Sequence, residues 1–190
     1  MSAHPIEAAR PVAGKSPWPA PGAWLGRAAL LAAAALLVLS SGRPWWSMRL
    51  LAPQYPKGLT LVVRLDRVEG DVSELDTLNH YIGMKSLAHA AEFDRRIAIP
   101  GLFAVLLSLA AGAFLPRRWA LLLAVPAVVL PITFAGRLHW IMTDYGMNLD
   151  PHAPLSNSVD PFVPPLSGES KIANFTVQSD FGDGFRLAAI

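Results

Sequence analysis

The side chains able to do metal chemistry in this chain are few and soft. Its 190 residues include no cysteine, which excludes disulfides, thiolate zinc sites, iron–sulfur clusters and a cysteine nucleophile. Imidazole and thioether remain. Beyond the N-terminal arm these are His80, His89, His139 and His152, with Met48, Met84, Met142 and Met147. Together the two donor types suit copper, above all Cu(I), better than zinc or magnesium. His80 and Met84 are four residues apart, which on a helix puts them on one face. His139 and Met142 are three apart, and Met147 follows about a turn later. A Cu(I) site drawn from His80, Met84, His139 and Met147 is therefore expected. Its ordinary alternative is methionine as packing and histidine as a hydrogen-bonding cap.

Other chemistry is thinly represented. Asp66, Glu69, Asp71, Glu74 and Asp76 cluster in sequence but are interleaved with Arg64 and Arg67, the pattern of a solvated surface. No nucleophile elbow, P-loop or dinucleotide fingerprint occurs. Axial haem ligands would need histidines well inside a membrane span, and none lies in the middle of one. A net charge of +2, without a run of Lys or Arg, offers no stripe for nucleic acid. A non-catalytic protein is expected.

The elements that must position these donors belong to a membrane protein. Hydrophobic residues make up 53% of the chain and charged residues 16%, where a soluble domain carries about 25% charged. The mean hydropathy of +0.37 agrees. The apolar residues come in blocks, giving transmembrane helices over 24–46, 97–115 and 119–141; about 19 residues span roughly 28 Å, enough for the hydrocarbon core. Pro126 and Pro131 could each kink the third helix. Trp45 and Trp46 fit an aromatic belt at the exit of the first. That first block also admits a second reading, a cleaved signal peptide.

Arg10, Lys15 and Arg27 near the first helix, and the pair Arg117-Arg118 between the second and third, put both segments in the cytoplasm. The loop at 47–96 and the acidic tail from 142 to 190 then face the periplasm across a bacterial inner membrane. The arm, 1–23, is proline-rich and expected to be a mobile tail.

In the loop, Leu59–Asp66 alternates in hydropathy and is expected to be a strand with Leu59, Leu61, Val63 and Leu65 on one face. Ser73–Ile82 is expected to be a helix opened by a capping box, with Asp76 in the acidic position. Gly83 ends or bends it. The tail, with Pro151, Pro154, Pro161, Pro164 and Pro165, is expected to run extended over the outer surface, with Ile172, Phe175 and Val177 as a short anchoring strand. The expected fold is thus a mainly α membrane protein of three transmembrane helices, a small α+β periplasmic loop domain and an extended Pro-rich C-terminal tail.

Five strings stand out together: Leu51-Ala-Pro-Gln-Tyr-Pro-Lys-Gly-Leu59, Leu78-Asn-His-Tyr-Ile-Gly-Met84, Asp144-Tyr-Gly-Met-Asn-Leu-Asp-Pro-His-Ala153, Asp160-Pro-Phe-Val-Pro-Pro165 and Lys171-Ile-Ala-Asn-Phe175. Across roughly residues 44–185 the chain resembles a family of small bacterial membrane proteins associated with nitrous oxide reductase maturation and copper handling. Lys57 stands where that family's pattern has an acidic residue, and Met147 where it has a histidine. Similar proteins continue into a further membrane helix, whereas this sequence ends at Ile190. The resemblance implies no transferable catalytic activity. It implies an accessory role beside a periplasmic copper enzyme, with other membrane or periplasmic maturation proteins as partners and His80 and Met84 as the motif positions to test. A metal-free structural subunit of a membrane complex is the alternative.

Overall fold

Runs of apolar residues without alternation become long helices here, and alternating runs become strands. A computed structural model describes residues 21–172 and 175–190; the expected N-terminal arm, up to residue 20, lies outside the described residues. Helices α1 (Pro21–Ser41), α3 (Glu92–Gly112) and α4 (Arg117–Met147) are each long and apolar enough to cross a membrane. Their outward residues, among them Leu31, Val38, Leu107, Leu121, Val128 and Ile132, are exposed to a degree that water would penalise and lipid would not.

The helix ends differ from the sequence expectation for local reasons. The first helix stops at Ser41, where the Ser40 and Ser41 hydroxyls bond back to the carbonyls of Leu37 and Val38 and Gly42 and Pro44 follow. The third begins at Glu92, with Glu92 and Asp94 in its first turn, where carboxylates complement the helix N-terminus. The fourth runs past 141 because Leu138, Ile141, Met142 and Tyr145 make a stripe at i, i+3, i+4 and i+7 that packs into the core beneath the sheet. Pro126 and Pro131 lie inside a helix that is continuous throughout.

Five antiparallel strands form one sheet in the order β3-β2-β1-β5-β4. They are β1 (Trp46–Ala52), β2 (Tyr55–Val63), β3 (Val68–Gly70), β4 (Gly168–Ile172) and β5 (Phe175–Phe181). The strand expected over Leu59–Asp66 is β2, but it starts four residues earlier and ends at Val63; Leu59 and Leu61 are buried as the alternation requires. The tail does more than run extended. Its last part folds into a hairpin whose strand β5 lies against β1 at the centre of the sheet. In β5, Val177 and Ser179 point inward while Gln178 and Asp180 point out, the period-two pattern of a half-buried strand. A short helix, α5 (Asp183–Ala188), closes the chain against α1.

Trp45 and Trp46 are both 0% exposed, so they are no aromatic belt. Neighbouring residues in extended backbone point to opposite sides. Trp46 therefore enters the core beneath the sheet, and Trp45 enters the second core among α1, α3 and α4. Their indole N–H groups donate to Leu166 O at 2.7 Å and Ser40 O at 3.1 Å. The exposed tryptophans on α4 are Trp119 and Trp140. At 1.5 Å per residue they are roughly 30 Å apart along the axis, the thickness of a hydrocarbon core.

A methionine-walled cavity as the candidate functional site

Helix α2 (Val72–Ile82) lies over the sheet and is amphipathic, with Leu75 and Asn79 buried. Its N-cap is Asp71 rather than Ser73, and the Asp71 carboxylate accepts the backbone N–H of Thr60 on β2 at 2.8 Å instead of capping its own helix. Asp76 does not close a capping box. It accepts from the Ser86 hydroxyl and the N–H of Leu87, both at 2.6 Å, and from the N–H of Ala88 at 3.2 Å, fixing the loop that follows α2. The helix ends at Gly83, whose φ of +83° is left-handed. Met84 therefore lies beyond the helix, and the helical spacing expected to bring it onto one face with His80 is interrupted.

Between α2, the sheet, the end of α4 and the returning tail lies a cavity of about 520 Å³. Met48 of β1, Met84 after α2 and Met142 of α4 all line it, with Leu75, Leu78 and Val177. Four of the five strings singled out in the sequence contribute to its wall, through Gln54, Tyr81, Phe162 and Ile172 among others. The remaining string holds it together. Asp150 N–H donates to Gly83 O at 2.8 Å, and Phe162 N–H donates to Gly146 O at 3.0 Å. Leu155 N–H donates to Tyr81 O at 2.9 Å, so the tail is strapped across α2 and α4. A Cβ on Gly146 would overlap the Phe162 carbonyl, and one on Gly83 would sit 2.6 Å from Asp150 O. Both glycines are where backbones meet.

The wall is apolar. Among the described residues that line it there is no carboxylate or imidazole, and Lys171 is the one charged residue. Such a lining gives calcium or magnesium no oxygen cage; thioether sulfur is the donor that selects Cu(I). Gln54, Asn79, Tyr81 and Ser158 are the wall's uncharged polar residues; Asn79 is 8% exposed, and its Nδ2 is a buried donor with no partner. Such a group costs free energy until something accepts its hydrogen bond.

The expected donors are spread over different surroundings. Met84 lines the cavity, whereas His80 is exposed and lines a shallow outer recess with Asp76, Thr77 and Tyr81. His139 and Met147 are exposed on α4. His89 pairs with Glu92 at 2.6 Å, and His152 lies 3.2 Å from Asp150. The Asp150 carboxyl is held below its usual range by the backbone N–H of His152 and then by that imidazole. No three His, Asp or Glu side chains gather as a metal-holding group among the described residues. Met48 and Met142 are among the soft donors in the sequence but outside the expected quartet, and Asn79 is in neither. The period-two run Trp46, Met48, Leu50 carries the signal for Met48; nothing local marks Asn79.

The carboxylate-rich stretch forms surface ion pairs at the β2–β3 turn. Arg64 reaches Glu69 at 2.8 Å, and Arg67 reaches Glu69 at 2.7 Å and Asp66 at 2.9 Å. Arg64, and then Arg67, hold the Glu69 carboxyl below the ordinary glutamate range. Comparison with protein-family models and with curated proteins finds no match.

Proposed function

We propose that this is a non-catalytic accessory protein of a bacterial inner membrane, whose periplasmic domain binds or relays Cu(I) for, or scaffolds, the maturation of a copper enzyme such as nitrous oxide reductase. The N-terminus is cytoplasmic and the C-terminus periplasmic, an orientation supported by exposed Arg117 and Arg118 in the first turn of α4, at the connection from α3. The observation that carries the copper reading is that Met48, Met84 and Met142, from three separate parts of the fold, line the same cavity. A soft cation with no carboxylate nearby is the cargo such a wall would accept. Met84 belongs to both the quartet expected from sequence and this trio. His80, His139 and Met147 stand on the outside, where they would meet cargo or a partner first.

The test is an anaerobic Cu(I) competition titration of the whole protein in detergent. Met84→Leu, and the triple change of Met48, Met84 and Met142 to Leu, keep volume and remove sulfur. Copper affinity should fall in the first and be lost in the second, while His80→Ala retains most of it. Unchanged affinity in the triple variant would end the metal reading. A metal-free scaffold is then the reading left, and adjacent exposed Tyr81 and Leu155, 48% and 47% exposed, favour it as a partner-facing patch.

A further inference from the structure

A lone cuprous ion needs little more than the space between its ligands, whereas about 520 Å³ lies within the range of sites that hold organic molecules. We infer that the cavity takes an acyl chain, the tail of a fatty acid or phospholipid, with an ester or carboxyl oxygen accepting from Asn79. This inference does not rest on copper binding.

Three features favour that occupant. Most of the wall is aliphatic, aromatic and thioether side chains, which suit a methylene chain. Asn79 belongs to that wall, is more than nine-tenths buried, and carries an Nδ2 donor in need of one acceptor, which a small turn of the amide would bring to the cavity. Lys171, exposed and also lining the cavity, offers a positive charge to a carboxylate or phosphate. Position fits as well. Met142 follows exposed Trp140 by two residues, so the cavity wall begins near the level where an aromatic residue marks the edge of the bilayer. A lipid would have a short path to it.

The experiment uses the full chain in phosphatidylglycerol nanodiscs with two photoreactive probes, diazirine-bearing palmitic acid and diazirine-bearing phosphatidylglycerol. Cross-links are then mapped by peptide mass spectrometry. Label should appear on peptides carrying Leu78–Met84 and Val159–Pro164, in addition to the lipid-facing helices. The palmitate probe alone would identify a fatty acid, and the phospholipid probe alone a membrane lipid; either supports the inference. Filling the space with Leu78→Trp should abolish cavity label and leave helix label unchanged. Asn79→Leu gives a readout that packing alone would not. It removes an unpartnered buried donor, so melting temperature should hold or rise, while cavity labelling falls roughly three- to tenfold with the lost hydrogen bond. Cu(I) affinity should not change in Asn79→Leu, which separates this inference from the copper reading. Label confined to the outward faces of α1, α3 and α4 with both probes would overturn the acyl-chain assignment and leave the cavity to an apolar peptide of a partner. So would cavity labelling that Asn79→Leu leaves unchanged.

Discussion

Replacing Gly83 with alanine should loosen the cavity where the tail meets the end of α2. Two costs add. The residue has φ +83°, a left-handed conformation that costs an L side chain about 1–2 kcal/mol. The new Cβ would also lie 2.6 Å from Asp150 O and 2.7 Å from Asp150 N, backbone atoms that cannot rotate away. Relieving that overlap costs about 1–3 kcal/mol by analogy with overpacked cores, and moving the tail strains the 2.8 Å bond from Asp150 N–H to Gly83 O. The sum is about 2–5 kcal/mol, a large part of the ~5–15 kcal/mol that holds a typical domain. Gly83→Asn tolerates the left-handed backbone better but keeps the overlap, so it should recover only part of the loss. Gly101→Ala is the control: nothing lies within 4 Å of its added Cβ, and a helical Gly→Ala exchange should stabilise by about 0.5–1 kcal/mol. Native-state hydrogen exchange in detergent, followed at β1 and β5, reads the domain separately from the membrane helices. A change below about 0.5 kcal/mol in Gly83→Ala would refute the close approach of the tail to α2.

Asp76→Ala should destabilise the loop after α2 by about 2–4 kcal/mol, since three hydrogen bonds to one carboxylate are lost; faster exchange at Leu87 and Ala88 is the readout. Trp45→Phe keeps the ring in the second core but drops the bond to Ser40 O, costing about 1–2 kcal/mol; an unchanged melting temperature would count against that bond. The Glu69 carboxyl should titrate below the ordinary glutamate range by NMR. Its pKa is depressed in the folded state, so its contribution is present above the unfolded value and is lost as pH falls through the folded one. In Arg64→Gln, Glu69 should titrate closer to normal; a carboxyl that titrates normally in the wild type would refute the pairing.

The three long helices could be read from the sequence because each is a long, nearly uncharged apolar run, the surface that crossing a bilayer would require of every outward position. Strand β2 was legible from Leu59 and Leu61 for the analogous reason, one wet face and one dry. The remainder depends on contacts distant in sequence. Strand β1 begins at Trp46, only a few residues after α1, so its apolar start merges with the preceding apolar block. Its neighbour β5 lies 120 or more residues further on, and nothing local announces that pairing. The role of Asp76 escaped because three-residue spacing imitates a capping box, while its true partners, Ser86 to Ala88, lie ten to twelve residues ahead. At the candidate site, helical spacing favoured His80 with Met84. The left-handed Gly83 separates them and turns Met84 toward the same cavity as Met48 and Met142. Donor types were thus readable from composition, but their grouping needed the fold.

The most direct test of the central claim is X-ray absorption at the copper edge of the purified protein loaded anaerobically with one equivalent of Cu(I). Sulfur scatterers should dominate the first shell, and they should vanish when Met48, Met84 and Met142 are changed to leucine. A first shell of nitrogen or oxygen alone, or sulfur scattering that survives the triple change, would contradict the methionine wall as the copper site.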